Sequence, residues 1–307
     1  LCGAFLYDSL QKAYHRCHNS LILFPNSQGE KAMWNKLKHR YLRHRSQCPV
    51  KLHGSFLAIA FNLVVIAFFI IDVPVANYVA GSMRTFGPIA AMITDFGKSG
   101  WILIAAALIF IEAQALCRVT SCLKSRFRAM IVGQTAAYLF FTVAASGLLA
   151  NLIKRIIGRA RPLHLNELGF MDFSPLRGSA EFESFPSGHS TTVGALMMAM
   201  ALLAPAYRTL FLILAIWLGL TRVLVGAHYT SDVIAGLAFG GWFSVMTAIL
   251  FARCGILFRE NGDRFPVLRR SLPIAPVITA SAKEKLSADP KRKPLASSLS
   301  FRSKVEA

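Results

Sequence analysis

Apolar residues in this chain come in long blocks, and the charged residues fall between them. Runs near 54–73, 101–117, 129–152, 189–206, 209–226 and 232–252 approach the length, about 20 helical residues, that crosses a hydrocarbon core of about 30 Å. A backbone in hydrocarbon has to satisfy its own donors and acceptors, so the blocks predict six transmembrane helices. Only Tyr207 and Arg208 separate the fourth block from the fifth, which predicts a tight antiparallel hairpin. The stretch 74–100 is less apolar, carries Gly81, Gly87 and Gly97, and is expected to pack as a partly re-entrant or surface element. The predicted fold is therefore all-α, a polytopic membrane protein with six transmembrane helices in a bundle.

Composition agrees with that picture and adds an orientation. Hydrophobic residues make up 54% of the 307 positions and charged residues only 16%, with a mean hydropathy of +0.48. A soluble domain of this length carries more charge. The formal net charge is nevertheless +19, so the cations are concentrated. Residues 1–53 hold nine Lys or Arg against Asp8 and Glu30; Arg118, Lys124, Arg126 and Arg128 share one loop without an acid; residues 253–307 hold twelve against five acids. The positive-inside rule makes these flanks cytoplasmic, and the loops between helices three and four and between five and six then face the periplasm or exterior.

Three segments are expected: a basic cytoplasmic segment 1–53, a membrane domain 54–252, and a basic, disordered cytoplasmic tail 253–307. The tail reads as a topology anchor, or as a weak contact with anionic headgroups, and implies no nucleic-acid partner. No apolar run precedes a small-residue cleavage site near the N-terminus, so no cleaved leader is expected. Cys2, Cys17, Cys48, Cys117, Cys122 and Cys254 all fall at or near the face assigned as cytoplasmic, where thiols stay reduced. No C-x-x-C spacing occurs, and neither a metal nor a cofactor is expected.

Candidate chemistry lies in three short stretches, all at the outer end of the predicted bundle. Lys154 and Arg161 in KRIIGRARP are close to two helical turns apart and can share a side before Pro162 ends the helix. Alone, such a cluster reads as readily as cations snorkelling to the interface. Pro186-Ser187-Gly188-His189 opens the fourth helix, either as an ordinary helix start or as an anion site of free N–H groups beside a titratable imidazole. His228 and Asp232, four apart, share a face, where the carboxylate can accept a hydrogen bond from one imidazole nitrogen and leave the other as nucleophile or base. The bland alternative is an acid favouring the helix dipole. Arg222, six residues upstream, is a poor choice for a lipid-facing position.

Each bland account stands alone, but they must all hold at once, on one membrane face, with complementary charges. K-x6-R-P, P-S-G-H and [S/T]-R-x5-H-x3-D, in that order, resemble the three signatures of the type 2 phosphatidic acid phosphatase and vanadium haloperoxidase superfamily. The match covers Lys154, Arg161, Pro162, Pro186, Ser187, Gly188, His189, Arg222, His228 and Asp232, with Thr221 where the family usually has serine. The resemblance spans roughly residues 55–250, including the stretch ITDFGKSGW.

The resemblance implies a metal-independent integral membrane lipid phosphatase without cofactors, in the cell (inner) membrane, its active site facing the periplasm or exterior. Lys154, Arg161 and Arg222 would clamp phosphate oxygens, joined by the backbone N–H groups of Ser187 and Gly188 and the serine hydroxyl. His228 would attack phosphorus and form a phosphohistidine. Asp232 would fix the tautomer of His228, and His189 would protonate the leaving group. A site at the bilayer edge suits a lipid phosphate: undecaprenyl diphosphate, phosphatidylglycerol phosphate, phosphatidic acid or lipid A. The loop 163–185, with Glu167, Asp172, Arg177, Glu181 and Glu183, is expected to shape the choice. The same site could serve a lipid phosphotransferase or hold vanadate as a haloperoxidase. A non-enzymatic scaffold would be expected to have lost His189, His228 or Asp232. Glu112, midway along the second helix, is expected to be protonated or paired inside the bundle, and Asp95 and Lys98 could belong to the substrate mouth.

Overall fold

The computed structural model describes residue 35, residues 50–261 and residues 264–269. The expectations for the N-terminal segment and for most of the tail lie outside these residues. The first helix, α1 (Val50–Ile66), runs through a π-helical turn (Ala67–Ile71) directly into α2 (Asp72–Thr94). The stretch 74–94, expected as a partly re-entrant or surface element, is helical, with Pro74 in the first turn of α2, where the i→i−4 ladder continues beyond it. After a 3-10 turn (Asp95–Gly97), α3 (Ser99–Val119) and α4 (Leu123–Ile157) pack as a hairpin.

A loop then leads to α5 (Gly188–Leu203), α6 (Arg208–Leu224) and α7 (Thr230–Arg253). Among the described residues, five segments are long and apolar enough to cross a membrane: Gly54–Gly81, Ala90–Val119, Leu123–Ile157, Pro205–Leu224 and Thr230–Arg253. The fourth expected span is shorter: α5 is apolar but stops at Leu203, and Pro205–Tyr207 forms a 3-10 turn before α6 begins. The chain is an integral membrane protein whose helices turn their bulk outward. On α6, Leu210, Ile213, Trp217, Leu220 and Leu224 recur at helical spacing on the exposed side, while Ala215, Gly219 and Val223 are buried.

Small residues let α7 serve as the hub, in contact with α1, α4, α5 and α6. The α5–α7 crossing brings backbone against backbone. A Cβ on Gly240 would lie 2.7 Å from the Ala195 nitrogen and closer still to the Thr191 carbonyl oxygen. One on Gly236 would lie 2.6 Å from the Ser187 carbonyl oxygen, so this crossing sets the start of α5 against the start of α7.

Two expectations are corrected at the other end of the bundle. The chain after Arg253 is not irregular at once: β1 (Phe258–Asn261) and β2 (Arg264–Leu268) form an antiparallel hairpin, so the fold is mostly helical rather than purely α. Phe258 is fully buried, its ring 4.9 Å from that of Tyr138, whose hydroxyl is 2.8 Å from Ser244 Oγ. Glu112 is exposed on α3 rather than held inside the bundle.

Candidate active site

Three of the predicted positions sit where helices end and begin. Lys154 occupies the inward side of the last turn of α4, 8% exposed, while its neighbour Arg155 turns outward. Gly158 closes α4 in the left-handed region (φ 63°), where any Cβ would collide with the Ser174 carbonyl. The chain reverses there, and the loop 163–185 is stitched to the segment that follows. Ala160 N–H donates to Asp172 O (3.0 Å), Arg161 N–H to Glu181 O (2.9 Å) and Ser184 N–H to Arg159 O (3.1 Å). Arg161 is thereby fixed next to Lys154, and Arg222 reaches them from the last turn of α6, its Nη1 donating to Thr94 Oγ1 (3.1 Å).

Lys154, Arg161 and Arg222 lie close enough to repel one another. Among the described residues none of the three has a carboxylate within ion-pair distance. The Nε atoms of Arg161 and Arg222 are buried without a partner. Grouped cations without an anion raise the energy of the free protein, and an arriving phosphate relieves it while accepting charge-assisted hydrogen bonds. His189, in the first turn of α5, is pushed down to about 4 by burial and by the charges of Arg222 and Lys154, so it gains a proton to donate only when an anionic phosphate offsets those cations. Asp95 and Lys98, paired at 2.9 Å and well exposed, lie at the same end, Asp95 within the field of His189 and Arg222.

His228 is 2% exposed in the turn between α6 and α7. Its Nδ1 is 2.9 Å from the Ser184 carbonyl oxygen, which can only accept, so Nδ1 carries the hydrogen and Nε2 keeps its lone pair. The expected bond to Asp232 is not made, since Oδ2 stands 3.8 Å from Nδ1. That oxygen instead accepts from Ser184 Oγ (2.6 Å) and from Tyr229 N–H (3.0 Å), so the carboxylate caps the start of its own helix α7. Asp232 therefore acts on His228 across space and through Ser184. Burial pushes the imidazole down to about 4, with Asp232 pulling the other way and the Lys154 and Arg222 charges adding to the depression.

Ser187 also differs from expectation. Its N–H donates to the Asp232 carbonyl oxygen (3.1 Å), and its fully buried hydroxyl accepts from Ser190 Oγ (3.0 Å) and Ser190 N–H (3.4 Å). It caps α5 and ties it to α7, which leaves Gly188 as the residue of the pair beside the cations. A Cβ on Gly188 would be 3.4 Å from Lys154 Nζ. Beside His228, a groove is lined by the apolar Val75, Val79, Leu163 and Val223 and, at its inner wall, by Asp72 and Tyr229 among others. Among the described residues no three His, Cys, Asp or Glu converge in a way that would hold a metal ion.

Sequence reasoning missed Arg159, Asp72 and Ser184, which hold Asp232 and His228 in place. Arg159 is 1% exposed and bridges Asp232 Oδ1 (Nη1, 2.6 Å) and Asp72 Oδ2 (Nη2, 2.9 Å). A signal existed: Asp72 lies at the end of an apolar run, and an ionisable residue there calls for a partner.

Residues 135–255 match the PAP2 superfamily. The lipid A 1-phosphatase of Rhizobium johnstonii is 46% identical over 243 residues, covering 78% of this chain and 98% of that protein. The lipid A 1-phosphatase of Rhizobium etli is 50% identical over 218 residues, 71% of this chain and 93% of that protein. The transmembrane PAP2-type phosphatidylglycerolphosphate phosphatase from Bacillus subtilis aligns with a TM-score of 0.44 and 21% identity, over 65% of this chain and 93% of that one.

Proposed function

Because this chain belongs to the PAP2 superfamily, as a membrane lipid phosphatase and phosphoric monoester hydrolase, we propose that it removes the 1-phosphate of lipid A through a phosphohistidine on His228, without a metal ion. The observation that carries the mechanism is the grouping of Lys154, Arg161 and Arg222, without an ion-paired carboxylate among the described residues, beside an imidazole whose Nδ1 faces a carbonyl oxygen and so leaves Nε2 as the nucleophile. The substrate is supported by the names of the two rhizobial relatives, matched over nearly their whole lengths.

Lys154, Arg161 and Arg222 hold the non-bridging oxygens, Arg through paired N–H groups and Lys as a compact charge. The Nε2 lone pair of His228 attacks phosphorus as the bond from phosphorus to the sugar oxygen breaks. That oxygen takes a proton from His189, and Asp232 stabilises the imidazolium character of the phosphohistidine. Water then attacks phosphorus, giving its proton back to His189, and inorganic phosphate leaves with His228 regenerated. Fixed cations supply the charge neutralisation that Mg²⁺ gives in other phosphoryl transfers. The lipid portion lies along the groove next to His228, whose apolar walls come largely from the helices. The basic flanks support cytoplasmic termini and a site at the periplasmic edge of the bilayer.

The test is phosphate release from purified lipid A, undecaprenyl diphosphate, phosphatidylglycerol phosphate and phosphatidic acid, with EDTA present, combined with a denaturing quench that captures labelled phosphoprotein. Wild type should favour the 1-phosphate of lipid A and give a labelled, acid-labile species. A His228→Ala protein that released phosphate at the normal rate would sink the mechanism. A preference for another lipid would sink the substrate while leaving the mechanism standing.

A further inference from the structure

Behind the site lies a buried web that the phosphate chemistry above does not use. Asp72 opens α2, 1% exposed, where the π-helical turn ends. Its Oδ1 accepts the Ser231 N–H (2.9 Å) and its Oδ2 accepts the Ser231 hydroxyl and Arg159 Nη2 (2.9 Å). A carboxylate from one helix therefore caps another, α7, just ahead of Asp232. Arg159 continues the web, with Nη1 on both Asp232 Oδ1 (2.6 Å) and Ser231 Oγ (2.8 Å). Its guanidinium lies 4.1 Å from the centre of the Tyr229 ring and 4.6 Å from that of Phe68, so aromatic groups also confine it.

Two carboxylates and one guanidinium make a web that is one negative charge in excess when both acids are ionised. Asp232 accepts from Arg159 on one oxygen and from Ser184 and Tyr229 on the other, so it lacks freedom to rotate. Ser184 in turn fixes His228 through its carbonyl. Ion pairs this deep contribute little net stability beside an apolar replacement, so stability alone is a weak reason for the web. Its geometry ends on the imidazole that has to meet phosphorus.

We infer that Arg159 and Asp72 are positioning residues: they fix Asp232, and through Asp232 and Ser184 they set the aim and charge balance of His228, without touching the phosphate. The inference rests on His228 being the attacking group. The charges that face His228 are Asp232 of α7, Lys154 of α4, Arg222 of α6 and His189 of α5, with Arg159 and Asp72 behind Asp232. Removing the Arg159 charge leaves Asp232 unneutralised and favours the imidazolium. Removing the Asp72 charge has no such effect, because Arg159 then serves Asp232 alone.

The full-length protein in detergent tests this with Asp72→Asn, Arg159→Lys and Arg159→Gln, using lipid A hydrolysis and inhibition by orthovanadate, which reports the cation clamp separately. For Asp72→Asn and Arg159→Lys, kcat should fall about 10- to 100-fold while KM and the vanadate inhibition constant stay within about threefold. In Arg159→Gln the acid limb of the kcat/KM profile should rise by about one pH unit, and in Asp72→Asn it should not rise. Unchanged kcat in a folded Asp72→Asn protein overturns the inference. So does a loss of vanadate inhibition in step with activity, or failure of all three variants to fold, which would mark the web as structural. If wild type forms no phosphohistidine, the mechanism fails first, and that outcome is distinct from any variant effect.

Discussion

Arg159 and Arg161 are two residues apart in one segment and meet opposite environments. Arg159 is buried between two carboxylates and two aromatic rings. Arg161, with Lys154 and Arg222, has no carboxylate in reach among the described residues. A cation already neutralised has little attraction left for a phosphate, and it serves to hold protein groups together. A cation left unneutralised costs the apo protein energy and returns it when an anion binds. Which arginine holds the ligand is thus a question of where the acids are: Asp72 and Asp232 pair directly with Arg159, whereas Asp95 and Glu183 reach the clamp cations only through space.

The largest effect should come from the imidazole between the two regions. His228→Ala should lower phosphate release by about 10⁴-fold or more, since it removes the covalent route outright. Vanadate should still bind, because the clamp is untouched. Loss of vanadate affinity in that protein would show that the two regions are not separable. Next comes Arg161→Ala, which should cost about 10²- to 10³-fold in kcat/KM and weaken vanadate inhibition in parallel. A purely kcat effect would place Arg161 with Arg159 and erase the contrast.

How much of this was legible beforehand follows from the same division. Lys154, Arg161, Arg222, His189, His228 and Asp232 were marked by spacing and residue type, because they fall in three ordered motifs of complementary charge. Arg159 sits inside one of those motifs and passed as another interfacial cation, since nothing local says that its partner is Asp72, 87 positions away. Ser184 was invisible for a different reason: it works through its carbonyl as well as its hydroxyl. Apolar blocks located the helices, but hydropathy alone did not reveal that α1 and α2 form one helix through a π turn, nor that Pro205 shortens α5. Glu112 was misplaced by the assumption that every charge in an apolar run faces inward.

A smaller effect separates the two regions by pH. Burial holds the folded His228 near 4, below the value of about 6.5 for an unfolded histidine. Between these values the unfolded chain binds a proton that the folded protein does not, so this contribution to stability is present above about 6.5 and is lost as pH falls toward 4. From pH 7 to 4.5 the loss from this one group should amount to about 2–3 kcal/mol. The measurement is the thermal midpoint at both pH values for wild type and His228→Ala, whose difference isolates the group. Equal slopes in the two proteins would mean that His228 titrates normally and that the web behind it sets no charge balance.

The smallest effect should come from Arg155, the residue after Lys154. One step along a helix is a rotation of about 100°, enough to carry Arg155 from the site to the outside. Its side chain is 68% exposed, and its contact with Glu183 is long, at 3.6 Å. An exposed pair of this kind contributes about 0–1 kcal/mol, with water and salt screening most of the attraction. Arg155→Gln should therefore leave kcat and KM within about twofold of wild type and move the thermal midpoint by a degree or two at most. If it instead weakened vanadate inhibition as strongly as Arg161→Ala, positive charge near the site would matter regardless of where it points. The clamp would then be a diffuse basic field, and the distinction between paired and unpaired arginines would lose its force.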